Sequence, residues 1–269
     1  MNPVNVSIHD KVAVIELNTP DNRNALSVAM VKALSAAIND CRADRACRTI
    51  VLTRAGLSFC SGLDLRNTPS PGDIPGTEAM GILGFTYKIQ EYIANMITLI
   101  HESEKPVIAA IRGHCYGGGL SIAAAADVRV CDTSAKFCAA YIKTGLSACD
   151  MGSSYLLPRL MGASKAAEFM LTGRVMHAEE ATSCGFAFPC VNDGQVLAEA
   201  INIASMINQN SEYGVMMTKS SLRTAAGAAS LRIAMEMENR QQVLGSLTGC
   251  FEEYISAFSE GRKPAFRDL

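Results

Sequence analysis

Lys105-Pro106-Val107-Ile108-Ala109-Ala110-Ile111-Arg112-Gly113, running on into Gly117-Gly118-Gly119, is the stretch from which the fold can be read. The apolar run from Val107 to Ile111 reads as a short buried strand. Three glycines then end it and open a helix of small residues reaching Ala126. Upstream, Phe59-Cys60-Ser61-Gly62-Leu63-Asp64-Leu65 makes a second turn behind another apolar strand, Thr49-Ile50-Val51-Leu52-Thr53, which stops near Gly56. Two such turns can aim bare backbone N–H groups at one point. A converging pair, one of them at a helix N-terminus, is an oxyanion hole. The plainer reading of the glycines is tight helix–strand packing. Neither G-x-G-x-x-G nor G-x-x-x-x-G-K fits, so no nucleotide-phosphate loop is present.

Working outward, Val4, Val6 and Ile8 alternate with polar residues as a half-buried strand. His9-Asp10 turns the chain, and the run from Val12 to Leu17 is its hairpin partner. Ser27 is a good N-cap for a helix with Met30, Leu34, Ala37, Ile38 and Cys41 on its apolar face. Residues 67–76 hold three prolines and two glycines and read as a mobile loop or a lid. A helix follows, with Ile89, Tyr92, Ile93, Met96, Ile97 and Ile100 on one face, and Val128-Arg129-Val130 is a further strand. From about Gln195 the pattern turns helical, through Val196, Ile201, Ile203, Met206 and Ile207 and later Leu231, Ile233, Met235 and Met237. The expectation is an α/β core over residues 1–195 and a helical C-terminal region over 196–269.

The 269 residues are 49% hydrophobic and 19% charged, which is globular rather than disordered. A net charge of -2 with scattered Lys and Arg argues against a nucleic-acid partner. Ten cysteines form no C-x-x-C pair and no Cys/His cluster with metal-site spacing, so no metal is expected. So many unpatterned thiols suit a reducing compartment, and a cytoplasmic protein is expected. Met1-Asn2-Pro3-Val4 has no signal-peptide features, and no apolar run is long enough to span a bilayer, so no membrane association is expected. Cys60, Cys115, Cys138 and Cys149 fall in segments that would form a pocket, and no His partners them, so core filling is expected. His9, His101, His114 and His177 are isolated and read as structural.

Taken together, Asn24-Ala25-Leu26-Ser27, the turn from Phe59 to Leu65, the strand entering Gly117-Gly118-Gly119, Ser134-Ala135-Lys136-Phe137, Leu171-Thr172-Gly173-Arg174, Ala257-Phe258 and Arg262-Lys263-Pro264 resemble the crotonase (enoyl-CoA hydratase/isomerase) superfamily. The matches are ordered and span nearly the whole chain. The resemblance implies a spiral of β-β-α turns with a helical C-terminal trimerisation region. It implies an acyl-CoA thioester substrate, with coenzyme A part of that substrate and no separate cofactor. The assembly would be a homotrimer or homohexamer. A thioester enolate would be held between the backbone N–H groups of Leu63 and Gly118. Coenzyme A would lie near Arg23, Asn24 and Ala25 and along Ser61, Gly62 and Asp64. Arg267 stands where the family often has a tail lysine that reaches the CoA of a neighbouring subunit. Its plainer reading is a solvated charge.

The acid/base positions depart from the hydratase pattern. Family hydratases carry one Glu two residues after the third glycine, where this chain has Ser121. They carry another four residues after the Phe of the Ala-Lys-Phe segment, where this chain has Tyr141. Neither is a base near neutral pH without help. Asp150, in Gly145-Leu146-Ser147-Ala148-Cys149-Asp150-Met151-Gly152, lies about one residue from where relatives that isomerise dienoyl-CoA or dehalogenate aryl-CoA carry an Asp. It reads as acid, base or nucleophile, or as a cap for a helix starting near Ser153. The expected activity is that of a hydratase/isomerase. The alternatives are a thioester hydrolase or dehalogenase using Asp150, or a catalytically silent acyl-CoA binding protein.

Overall fold

The computed structural model describes residues 2–268. Met1 and Leu269, the outer ends of the two expected regions, lie outside the described residues. β1 (Val4–His9) and β2 (Val12–Leu17) form an antiparallel hairpin around Asp10 and Lys11, both in left-handed backbone. Of β1's apolar residues Val4 alone is buried. Val6 is 47% exposed, because β1 is the sheet's edge and little packs over it. α1 (Val28–Ala43) begins where Ser27 Oγ accepts the Met30 N–H at 3.2 Å. Its expected face, Met30, Leu34, Ala37, Ile38 and Cys41, is buried.

β3 (Thr49–Arg54) lies parallel to β2, and α2 (Ile82–His101) returns the chain to β4 (Val107–Ile111), parallel to β3. β5 (His114–Tyr116) leaves the main sheet and leads into α3 (Gly118–Ala125), every residue of which is buried. β6 (Val128–Asp132) then joins β4, and β7 (Lys136–Cys138) pairs with β5. Next come α4 (Ser153–Met161), α5 (Ala163–Thr172), β8 (Met176–His177), α6 (Ala178–Ser183) and β9 (Cys190–Val191). The large sheet runs β1-β2-β3-β4-β6-β9, parallel except for its hairpin. The small sheet runs β5-β7-β8, and the backbone at Cys60 pairs in parallel with that at Cys115 on β5, both thiols being free. Successive passes therefore add a strand to one sheet, cross to the other and return by a helix: a spiral of β-β-α turns.

α7 (Val196–Asn208) follows, then α8 (Glu212–Ala225), α9 (Leu231–Gly245) and α10 (Cys250–Glu260). α1, α2 and α3 cover one face of the large sheet. α7 closes the other, setting Val196, Ala200 and Ala204 on Val51, Ile108, Ala110 and Val130. α7 belongs to the 196–269 stretch in sequence, yet it packs as part of the sheet's core. α8 is tied on by Lys219, whose buried ammonium donates to Asp127 Oδ2 at 2.7 Å and to the Lys105 carbonyl at 3.0 Å. No helix among the described residues is long and apolar enough to cross a membrane.

Candidate active site

The two turns meet. Gly62 has φ +93°, and a Cβ added to it would stand 3.0 Å from the Tyr116 carbonyl and 3.4 Å from the Gly118 nitrogen. Only a glycine lets the first turn pass so close to the second. Leu26 holds the first turn in register: its N–H donates to the Gly62 carbonyl at 2.7 Å, and its carbonyl accepts from Asp64 N–H at 3.2 Å. The Leu63 N–H between them is left without an acceptor among the described residues. The Gly118 N–H, first in α3, is also free, as helix geometry requires. Gly117, at φ +50°, is the residue before the helix.

Around this pair stand Ser121 and Tyr141, the residues that the resemblance would put at the two glutamate positions. Ser121 Oγ and Tyr141 Oη share a hydrogen bond of 2.6 Å. Tyr141 Cε1 lies 3.7 Å from where a Cβ on Gly117 would be. Burial pushes the Tyr141 phenol well above its ordinary value, and the Asp150 charge pushes it further; the bond from Ser121 pulls the other way. Tyr141 is thus a neutral hydroxyl at any physiological pH.

The loop before α4 closes the site. Met151, held in left-handed backbone at φ 46°, puts its sulfur 3.2 Å from where a Cβ on Gly118 would sit. Asp150 is partly exposed. Its Oδ1 accepts from Gln90 Nε2 at 2.5 Å and from the Met151 N–H at 2.7 Å, while its carbonyl lies 3.5 Å from Ser121 Oγ. The side chain does not cap α4. Gly152 occupies the cap position, and Ser153 Oγ accepts from the Asp150 N–H at 3.0 Å.

The residues expected along coenzyme A divide in two. Asn24 is fully buried: its amide donates to the carbonyls of Ala55 and Ser58, and its oxygen accepts from Thr19 N–H. Its side chain has no free surface, and Ala25 beside it is also buried. Asp64 is buried as well, bonded to Arg66 N–H and Asn67 Nδ2, and the Asn67 bond draws its carboxyl below the ordinary range. Its carboxylate fixes the start of the proline-rich loop. That loop is laced by its own bonds: Ser70 N–H to Asp73, Gly72 N–H to Thr77 Oγ1, and Thr77 Oγ1 to the Ile74 carbonyl, with Ile74 and Thr77 buried.

Arg23, by contrast, lines a cavity of about 600 Å³ together with Arg112, His114 and Lys136. Its carbonyl accepts the Ser61 N–H at 3.1 Å, which ties this cavity to the first turn. Arg112 is paired with Asp193 at 2.8 Å and faces Asp132 at 3.7 Å. His114 accepts from or donates to Ser58 Oγ at 3.1 Å, and burial, followed by the charges of Arg23 and Lys136, holds it below its usual value. Arg267 is elsewhere, lining a cavity with Glu252 and Glu253 at α10. Cys60, Cys115 and Cys138 are core residues as expected, but Cys149 is exposed, because its loop turns outward between Ala148 and Asp150. Gln90 escaped the sequence reading: a polar residue on an amphipathic helix carries no signal of a partner sixty positions away.

A spiral built on a parallel sheet, with two glycine turns meeting beside it, is the architecture of the crotonase class of acyl-CoA enzymes. The chain belongs to the enoyl-CoA hydratase/isomerase family, whose model matches residues 7–269. It is 39% identical over 259 residues to a Mycobacterium bovis protein named as a probable enoyl-CoA hydratase, covering 96% of this chain and 90% of that one. It is 29% identical over 257 residues to the 1,2-epoxyphenylacetyl-CoA isomerase of Escherichia coli, covering 95% and 94%. The crystal structure of a probable enoyl-CoA hydratase/isomerase from Mycobacterium abscessus superposes with a TM-score of 0.92 at 35% identity, covering 99% of each chain. The protein is therefore an acyl-CoA thioester enzyme of this family.

Proposed function

We propose that the protein isomerises an acyl-CoA thioester with Asp150 as its one carboxylate. The observation that carries this reading is the seating of the Asp150 loop over Gly118, beside the hydrogen-bonded hydroxyl pair of Ser121 and Tyr141. Two-glutamate hydration has no counterpart in Ser121 and Tyr141. A single base suffices for double-bond migration. Asp150 removes a proton from the carbon beside the thioester carbonyl. The electron pair moves onto the thioester oxygen, where the Leu63 and Gly118 N–H groups stabilise it without reorganising. The same proton, returned to the γ carbon of the dienolate, leaves an α,β-enoyl thioester. Tyr141 and Ser121 line the acyl side of the site and keep their hydrogen bond to each other.

No separate cofactor enters this cycle; coenzyme A arrives on the substrate. Its phosphates suit the cavity of Arg23, Arg112, His114 and Lys136, and its pantetheine arm suits the backbone of Ala25, Ser61 and Gly62. That an isomerase stands among the relatives agrees with the reading. The test is Asp150→Asn, assayed on a β,γ-unsaturated acyl-CoA such as 3-hexenoyl-CoA. Turnover should fall by about 10²–10⁴-fold, as for loss of a general base. Calorimetric binding of hexanoyl-CoA, which has no double bond to move, should survive because the oxyanion donors are backbone. Parent-like turnover by the variant would remove Asp150 from the mechanism.

A further inference from the structure

We infer that Gln90 is a positioning residue for Asp150, fixing which of its two carboxylate oxygens faces the substrate; the inference rests on the reading of Asp150 as the base. Gln90 lies on α2, on the turn preceding Ile93 and Ile97, both buried against the core. α2 is thereby set against the Asp150 loop: a Cβ on Gly152 would lie 3.5 Å from Ile97 Cγ2. From this register the Gln90 amide donates to Asp150 Oδ1 at 2.5 Å. A carboxylate can only accept, so the amide nitrogen is the donating end. The Met151 N–H donates to the same oxygen at 2.7 Å. Oδ2 accepts no hydrogen bond from a described residue. Two donors on one oxygen fix the side-chain rotamer and leave the other oxygen as the free base.

The arrangement has two further consequences. Gln90 sits on the helix that directly follows the proline-rich loop, so the base is anchored to the element that loop leads into. It also supplies no charge of its own, so it orients Asp150 without adding a second ionisable group to the site. Removing the donor leaves Asp150 tethered only through its neighbour's backbone, with both oxygens able to exchange places. A misplaced base loses rate rather than binding.

The experiment is a double-mutant cycle in the full chain, on 3-hexenoyl-CoA. Gln90→Met keeps length and helix propensity but removes the donor. It should lower kcat by between about tenfold and a hundredfold, with KM within a factor of about two and an unchanged thermal midpoint. In the Asp150→Asn background it should cost nothing further: the amide oxygen of Asn can still accept from Gln90, but the base whose position that bond would fix is already gone. Gln90→Asn, shorter by one methylene but still a donor, should recover part of the loss and serves if the Met variant folds poorly. Parent kcat in Gln90→Met with an inactive Asp150→Asn would overturn the positioning role and leave the base standing. Equal losses from Gln90→Met in both backgrounds would make it a structural tie only. Parent activity in Asp150→Asn would sink the base and, with it, this inference.

Discussion

Gly118 is bare for two reasons that reinforce each other. The oxyanion role we propose for its N–H needs that group approachable, and a Cβ there would come within 2.5 Å of Leu26 Cδ1 and 3.2 Å of Met151 Sδ. Leu26 is buried and bonds both flanks of Leu63 through its own backbone, so pushing it moves the second donor as well. Gly118→Ala is therefore expected to damage both halves of the proposed oxyanion site with one methyl. Overpacking of this size costs about 1–3 kcal/mol of stability, whereas loss of one donor alone lowers turnover by about 10²–10³-fold. Urea unfolding and steady-state kinetics on the same preparation separate the two, and the rate should fall far more than the stability. An alanine variant with parent turnover would show that Leu26 gives way without disturbing Leu63. The close approach of the two turns was legible in the sequence because glycines mark such an approach at a definite position. The Gln90–Asp150 bond was not, because it joins residues on separate elements and leaves no pattern in either.

Elements were legible in proportion to their length and to how local their signals are. Ser27 capping α1 and the apolar face of α2 can be read within one or two turns of chain. β5, β7 and β8 span three residues or fewer, too short for an alternation to register, and only the spiral's geometry reveals them as a sheet. The Leu171–Arg174 motif shows the same limit. Its glycine ends α5 in left-handed backbone at φ +57°, which the sequence suggests. What Arg174 does there is a matter of tertiary placement: it donates to Glu168 on α5 at 2.6 Å and to Glu180 on α6 at 2.8 Å, and Lys165 also bonds Glu180. Arg174 first, then Lys165, hold the Glu180 carboxyl down to about 2 from 4.5. A carboxyl depressed on folding contributes stability that is fully present above its unfolded value and is lost as pH falls towards its folded one. Glu180→Gln should thus be less stable than the parent in urea at pH 7, and the gap should close between pH 4.5 and pH 2. A gap that persists unchanged at pH 2 would show that packing of the side chain, not its charge, joins α5 to α6.

At the scale of the molecule, the C-terminal helices carry apolar side chains that the single chain leaves exposed. α9 has no buried residue, although it carries Leu231, Ile233, Met235, Val243 and Leu244. Leu231 is 76% exposed, Leu247 after the helix 80%, and Phe258 on α10 75%, with Tyr254 stacked beside it at 6.4 Å. α7 buries its apolar face on the sheet, so the helical pattern alone does not explain this exposure; α9 and α10 simply have no sheet beneath them. A monomer seldom leaves an apolar patch larger than a few hundred Å² open to water. Closed symmetric assembly of identical chains is the common way to cover such a face. We expect a trimer or a pair of trimers, held through α9 and α10. Multi-angle light scattering at micromolar concentration should report three or six chains. Leu247→Asp together with Phe258→Asp should shift the mass towards one chain, because a desolvated carboxylate at each copy of the contact opposes association. The far-ultraviolet circular dichroism should be retained, since neither residue contributes to the buried core. A parent protein that runs as one chain at every concentration would mean that these side chains face water in the working enzyme, and that the site formed by Leu63, Gly118 and Asp150 is complete in a single copy.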